Sequence, residues 1–386
     1  MAVLPAGAAA AAARRIGAAL PPLLVLLVFG SACRELGPRA EEPILFGLAA
    51  PLDESYGEST RLGAELAVNQ INAGDGIDGR PLGLKPVNDY ADRERAIPAS
   101  QELVSDPRVV AVVGHVNSST TVAAARSYQG RVPAIATSAT SPQISTLGPW
   151  IFRIASSDSA NGIALARFAT RISERPAILY ANDEYGRGLA TSFAAGLRAE
   201  GSSPIASDPY TEESPRFQPY LERMQRRGVD LIFLAGLETG AAEAIRAARA
   251  LGLDVRFIGG DGVEGLRDRG GDFGGTYVGL LFHPDANPRA REFAAAYRAA
   301  YGREPDSFAA TAYDAVMLLA RAAEQVGPDP AQIRDYLDAV GRPGGSPAFA
   351  GVTGEIRFDE SGDPLEKTFD VGVIGDGTIR LAGSQG

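Results

Sequence analysis

The chain has almost no cysteine or histidine: Cys33 is the single cysteine, and His115 and His283 are the only histidines. No disulfide can form within it, and a Cys/His zinc site is excluded. With Cys33 in a leader, the folded body also lacks a cysteine nucleophile. Lysine occurs only at Lys85 and Lys367. With the abundant alanine, that is compositional bias rather than chemistry. The 37 Lys and Arg are outweighed by 47 Asp and Glu, for a formal charge of −10. This balance argues against a nucleic-acid partner, which selects a basic patch. A G-x-S-x-G elbow, a P-loop and an H-E-x-x-H helix are all missing.

What is present begins with a targeting pattern. Arg14 and Arg15 precede an apolar run at residues 20–29, and Gly30-Ser31-Ala32-Cys33 follows. Charge, apolar core and small residues in that order read as an export leader over 1–32. The run is shorter than the roughly 20 residues of a membrane span. Small residues before the lone cysteine resemble a bacterial lipobox, which implies cleavage before Cys33 and its lipidation. Gly30 stands where such a box usually has Leu, and an ordinary secretory leader is the alternative. Residues 33–42 then form a lipidated tether. Loss of 1–32 removes two arginines and no acid, so the mature chain is more acidic still.

The remainder, 45% hydrophobic over the whole 386 residues, has room for two domains and a real core. Short apolar strands are expected at 44–49, 82–89, 109–113 and 132–136, with helices at 60–73 and 93–105. After Trp150 the alternation resumes: helices at 161–172, 189–200, 219–227 and 241–251, strands at 176–180, 203–210, 230–235, 255–258 and 276–282. Helices are expected at 288–301, 311–325 and 330–340, and strand-like alternation returns at 354–359 and 368–374. Strand then helix at this pitch signals βαβ units on parallel sheets, here two similar α/β sandwiches.

Two hydroxyl-rich turns stand out. Residues 112–125 (VVGHVNSSTTVAAA) run from a strand through Ser118–Thr121 into a helix, and 137–143 (TSATSPQ) also follow a strand. Ser118 or Ser119 caps a helix in the simplest reading. Free N–H groups at such a start also hold a carboxylate or another acceptor. His115 beside it is a ligand contact or a satisfied structural histidine. Gly260–Gly265 (GDGVEG) fits G-x-G-x-x-G, but Asp261 and Glu264 would repel a pyrophosphate. Asp261 suits a cation such as an ammonium group, or simply forms a turn. Tyr56 and Tyr185 each sit in a loop after a strand within a Tyr-Gly pair, where open α/β sheets bind ligands.

Over residues 43–386 the chain resembles the type I periplasmic binding proteins of the branched-chain amino acid and amide group, soluble receptors of ABC importers. The segments that carry this are ILFGLAAPLDESYGES, GAELAVNQINAGDGIDGRPLGL, VVAVVGHVNSSTTVAAA, PAIATSATSPQIS, FRIASSDSANG, ILYANDEYGRGLA, AARALGLDVRFIGGDGV and GEIRFDESGDP, in family order. The resemblance implies two Rossmann-like parallel-sheet lobes joined by three crossings, the Venus-flytrap arrangement. The crossings would lie near 154–158, 282–285 and 342–349. Lobe one would comprise 43–156 and 284–342, and lobe two 157–283 and 343–386.

The resemblance also implies a ligand clamp. Ser118 and Thr140 would hold an α-carboxylate, with backbone groups of Ser138 and Ala139, and Asp261 would face the ammonium. Tyr56, Tyr185, Val116, Asn117 and Phe308 would wall the cleft. Leu237 and Glu238 occupy the place of a wall aromatic in some members, which leaves side-chain selectivity open. The expected protein is a non-enzymatic, cofactor-free solute receptor. It would capture an amino acid or an amide such as urea for an ABC permease, anchored to the membrane by its N-terminal lipid. A lipoprotein signalling to a receptor is the alternative, and an enzyme on the same fold is a weaker one.

Overall fold

The protein is described by a computed structural model over residues 42–211, 215–269, 273–367 and 369–382. The expected leader and Cys33 lie outside the described residues. The described residues form one compact unit. Among the described residues no helix is long and apolar enough to cross a membrane.

The first lobe alternates β1 (Ile44–Ala50), α1 (Ser55–Ala73), β2 (Leu82–Asn88), α2 (Arg93–Ser105), β3 (Val109–Gly114), α3 (Ser118–Tyr128), β4 (Ala134–Ala136) and β5 (Ile151–Arg153). The sheet order is β2-β1-β3-β4-β5, and every pairing is parallel. β3, VVAVVG, is buried throughout, as a strand covered on both faces must be. The ends of α2 follow from its sequence: Asp92 Oδ1 accepts from Glu94 N at 2.9 Å and Arg95 N at 2.8 Å, satisfying two N–H groups that lack helical partners.

The second lobe continues with α4 (Asp158–Ile172), β6 (Pro176–Ala181), α5 (Glu184–Ala199), β7 (Ser207–Tyr210), α6 (Gln218–Arg226), β8 (Leu231–Ala235), α7 (Glu238–Ala250), β9 (Arg256–Gly259) and β10 (Tyr277–Leu280). The chain then returns through α8 (Pro288–Tyr301), α9 (Ser307–Val326), α10 (Pro330–Asp338) and the small hairpin β11 (Phe349–Gly351) and β12 (Gly354–Ile356). It ends on β13 (Asp370–Gly375) and β14 (Thr378–Leu381), which extend the second sheet to β14-β13-β10-β9-β8-β6-β7. That sheet is parallel from β7 to β10 and antiparallel beyond.

α9 and α10 bury their apolar faces on the first sheet: Val316, Leu319, Ile333 and Leu337 share one core with Phe46, Leu48 and Val113. Each such side chain contributes about 1.5–3 kcal/mol by leaving water. Ile356 and Phe358 belong to that same core, with Phe349 packed against it. Residues 349–358 therefore pack with the first lobe, whereas the sequence reading put them in the second. The Gly- and Pro-rich stretch before them is a turn tied back to α9 through Arg321, which donates to Ala348 O at 3.3 Å.

The chain re-enters the second core at Phe369, so the third crossing falls beside Lys367. Lys367 Nζ donates to Ile154 O at 3.2 Å and to Thr353 Oγ1 at 2.7 Å, joining the first crossing to the third. Burial lowers its pKa to about 8, against the pull of Asp314.

Candidate functional site

In doubly wound sheets, ligands bind beyond the carboxyl ends of the strands, where the strand order reverses. The reversals fall between β1 and β3 in the first sheet and between β6 and β8 in the second. Tyr56 and Asn117 stand at the first reversal, and Tyr185 and Leu237 at the second.

The first lobe contributes hydroxyls. Ser118 opens α3, while the N-cap position is Asn117, whose side chain makes no cap bond. Ser118 Oγ instead accepts from Ser141 N at 3.2 Å, so the two hydroxyl-rich turns are joined directly. Thr140 is fully buried, and its Oγ1, like that of Thr137, has no hydrogen-bond partner among the described residues. Its carbonyl accepts from Asp158 N at 2.8 Å and Arg153 Nη1 at 3.1 Å. The Ser138 hydroxyl is taken by Thr311 Oγ1 at 3.0 Å, and Ala139 belongs to the core beneath. His115 is a structural residue: it is buried, with Nδ1 2.6 Å from Asp89 and Nε2 2.8 Å from Tyr128.

The second lobe contributes acid. Tyr185 lies in the first turn of α5, not in the loop before it. Its hydroxyl donates to Asp261 Oδ1 at 2.9 Å and accepts from Gly262 N at 3.2 Å. Asp261 is 2% exposed, and burial pushes its pKa up to about 6. Burial, and then the charge of Asp261, raise Tyr185 well above its ordinary value, so it stays a neutral donor.

The GDGVEG stretch has a packing role. A Cβ on Gly260 would lie 2.5 Å from the Tyr185 hydroxyl, and one on Gly265 would lie 1.5 Å from Glu238. These glycines let Tyr185 and Glu238 approach the turn; they are not a phosphate cradle.

Between the two halves lies an apolar patch of Ala50, Tyr56, Val116 and Phe308, with Leu237 of the second lobe packed against it. The Tyr56 and Phe308 rings are 5.3 Å apart, and Asn117 Nδ2 donates to the Tyr56 hydroxyl at 3.2 Å. The patch borders a cavity of about 910 Å³ whose walls include Glu238, Gly262, Arg267 and Arg269. Glu238 does not stand free in it: it accepts from Ser55 Oγ and Arg269 Nη2, both at 3.2 Å. At the rim Arg93 pairs with Glu184 across the lobes.

Of the expected site residues, Tyr56, Phe308 and Glu238 line this cavity, Val116 shares the apolar patch with Tyr56 and Phe308, Asn117 bonds to Tyr56, and Ser118, Thr140, Tyr185 and Asp261 are buried and do not line it. Two buried acids, Glu264 and Asp158, were not read as site residues from the sequence. Glu264, 2% exposed, accepts from Ser307 N at 3.2 Å, and burial pushes its pKa to about 7. Asp158 was read only as part of a crossing. It is fully buried, and neither carboxylate oxygen has a hydrogen-bond partner among the described residues. Nothing in SSDSA distinguishes a buried aspartate from an ordinary acid in a first helical turn.

The comparisons with known proteins agree with this fold. The leucine-, isoleucine-, valine-, threonine-, and alanine-binding protein of Pseudomonas aeruginosa is 30% identical over 345 residues, 86% of this chain and 90% of that one. An ABC transporter substrate-binding protein from Desulfitobacterium hafniense, solved with Leu, is 32% identical with a TM-score of 0.76, covering 88% of this chain and all of that one. The branched-chain amino acid transporter substrate-binding protein of Streptococcus pneumoniae, solved with isoleucine, is 27% identical with a TM-score of 0.78, covering 88% and 98%. The family profile described as periplasmic binding protein matches residues 44–377. With that span, this fold and a cleft set at both strand reversals, the chain belongs to the periplasmic binding protein family, as a type I solute-binding protein and not an enzyme.

Proposed function

We propose that this protein captures a free amino acid in the interlobe cleft for an ABC importer outside the cytoplasm. The observation that carries the reading is the opposition of two chemistries. The Ser118 and Thr140 hydroxyls, with the N–H groups at the start of α3, suit a carboxylate, while Tyr185 and Asp261 suit an ammonium group. The apolar patch of Tyr56, Val116, Phe308 and Leu237 suits a side chain of Leu or Ile type, the class named for the relatives above. Closing on such a ligand buries both of its charges, so each needs a partner. The closed form is then what a membrane permease recognises. Lipidation of Cys33 would hold the receptor at the membrane.

The test is a thermal-shift screen of residues 34–386 against the common L-amino acids, urea and short amides, followed by calorimetry. A ligand at a hundred times its Kd adds about 2.7 kcal/mol of stability, which is plainly visible. Asp261→Ala should weaken amino-acid binding by about 2–4 kcal/mol. Unchanged affinity in that variant sinks the ammonium assignment. Stabilisation by amides alone moves the ligand class.

A further inference from the structure

Arg153 ends β5 at the first crossing, and its side chain is fully buried. Its Nη1 donates to the Thr140 and Ser141 carbonyls at 3.1 and 2.9 Å. Its Nη2 donates to Ser145 Oγ at 2.9 Å and pairs with Asp363. Ser145 Oγ donates in turn to Asp363 Oδ2 at 2.8 Å. Asp363 closes the tight turn 359–363 before the third crossing. That turn sits flush on β5: Arg153 N donates to Gly362 O at 3.1 Å, and a Cβ on Gly362 would lie 2.5 Å from Ile151 O. Apolar side chains of like volume often serve folding as well as a buried ion pair, so this cluster calls for a reason beyond packing.

The atoms that Arg153 holds lie one step from the hydroxyls of the first lobe. Thr140 O accepts from Asp158 N at 2.8 Å as well as from Arg153, so the Thr140–Ser141 peptide is fixed from its carbonyl side. The N–H of that same peptide donates to Ser118 Oγ at 3.2 Å. Ser118 Oγ is thereby engaged as an acceptor, and its own proton meets no acceptor among the described residues. A hydroxyl has one donor to give, and here that donor is left over. Thr140 Oγ1, carried by the same peptide, is also unpartnered. A shift of this one peptide therefore moves both hydroxyls.

We propose that Arg153 is the positioning residue of the carboxylate half of the site: it sets the Thr140–Ser141 peptide, and with it the Ser118 and Thr140 hydroxyls, while Asp363 anchors it to the turn before the third crossing. The inference rests on the amino-acid reading above and goes beyond it, since it names a residue that shapes the site without touching the ligand. Lysine cannot take the place. Its ammonium carries three donors on one atom, whereas the guanidinium spreads its donors in a rigid fork, here over two carbonyls on one side and a hydroxyl and a carboxylate on the other. A residue that served folding alone would weaken every ligand alike. A residue that sets the carboxylate contact weakens a ligand in proportion to what its carboxylate contributes.

The experiment is calorimetry with the tightest-binding common L-amino acid and its carboxamide, the carboxamide measured by displacement where it binds weakly. Arg153→Lys, which keeps the charge and loses the fork, should lose at least tenfold for the amino acid and less than threefold for the carboxamide. Asp363→Asn, which keeps the shape, should lower the ratio of the two affinities at least threefold in the same direction. Equal losses for both ligands in Arg153→Lys reduce the residue to packing and overturn the inference. Amino-acid binding within twofold of the original overturns it too, and the functional reading stands in either case. An unchanged ratio in Asp363→Asn overturns the anchor at the third crossing, and the whole inference if Arg153→Lys does not fold. An unaltered protein that binds no amino acid overturns the functional reading, and this inference with it.

Discussion

The same turn is built twice in this molecule, once in each lobe, and given opposite chemistry. After β1 the chain enters α1 with Tyr56-Gly57, and after β6 it enters α5 with Tyr185-Gly186. Both glycines touch the preceding strand end: a Cβ would lie 1.9 Å from Pro51 O at Gly57 and 2.1 Å from Ala181 O at Gly186. The close approach sets each tyrosine in the first turn of its helix, beside the strand reversal. In the first lobe the hydroxyl meets the neutral amide of Asn117, and in the second the carboxylate of Asp261. The shared backbone supplies position, and the partner of the tyrosine supplies polarity. A receptor for a zwitterion needs just such a pair of like scaffolds with unlike ends.

The strongest way to break the comparison is to remove its common part. Gly57→Ala and Gly186→Ala should each cost about 3 kcal/mol of stability, because a backbone carbonyl leaves no room for a methyl group. Urea denaturation measures both. A large loss in one lobe and none in the other would end the claim that the turns are equivalent.

A change of pH acts on one side only. Asp261 has its pKa raised from 3.8 to about 6, so the folded protein holds that proton where the unfolded chain has released it. Its effect on stability is therefore a loss as pH rises from about 4 to about 6. Binding of an ammonium group requires the carboxylate, so affinity should fall by up to about tenfold per pH unit below 6. Calorimetry from pH 5 to 8 shows this, and a flat profile removes the charge from the second lobe's half of the contrast.

Gly188→Ala sharpens the comparison by separating closure from folding. Alanine favours the helix by about 1 kcal/mol, but its Cβ would meet Pro142 Cδ at 2.9 Å across the cleft. Thermal stability should hold or rise while affinity drops about tenfold. A variant that binds as before would show that the lobes need not meet at that point. The smallest effect is expected from Ser118→Ala, which removes one acceptor for Ser141 N at about 1 kcal/mol, read as a few-fold loss of affinity.

The positions where the sequence reading came up short share a cause. The helices 93–105 and 288–301 appear with the expected ends; Asp92 and Asn287 cap them, and the left-handed Gly302 closes the second. α1, α5, α7 and α9 start three to five residues earlier than their apolar period suggested, at Ser55, Glu184, Glu238 and Ser307. Their first turns lie at the carboxyl ends of the strands rather than over a sheet, and they carry Tyr, Gly, Glu and Ser where a packing turn carries aliphatics. Periodicity reads burial against the core, and a turn beyond the sheet edge has little of it to read. The candidate clamp residues came from the resemblance and the hydroxyl turns. Asp158 was read only as part of a crossing, because a short acid in a first helical turn carries no sign of its burial. The 349–358 hairpin was misplaced because its few apolar side chains give no sign of which core takes them.

Lys367 makes the hinge chemically addressable. The chain has only two lysines. Lys85 keeps a quarter of its side chain exposed, while Lys367 is held between the first and third crossings. An amine-acylating reagent should therefore label Lys85 steadily and Lys367 only when the crossings part. The ratio of the two labelled peptides, read by mass spectrometry, would count hinge openings in the unaltered protein, with the internal standard encoded in the same chain.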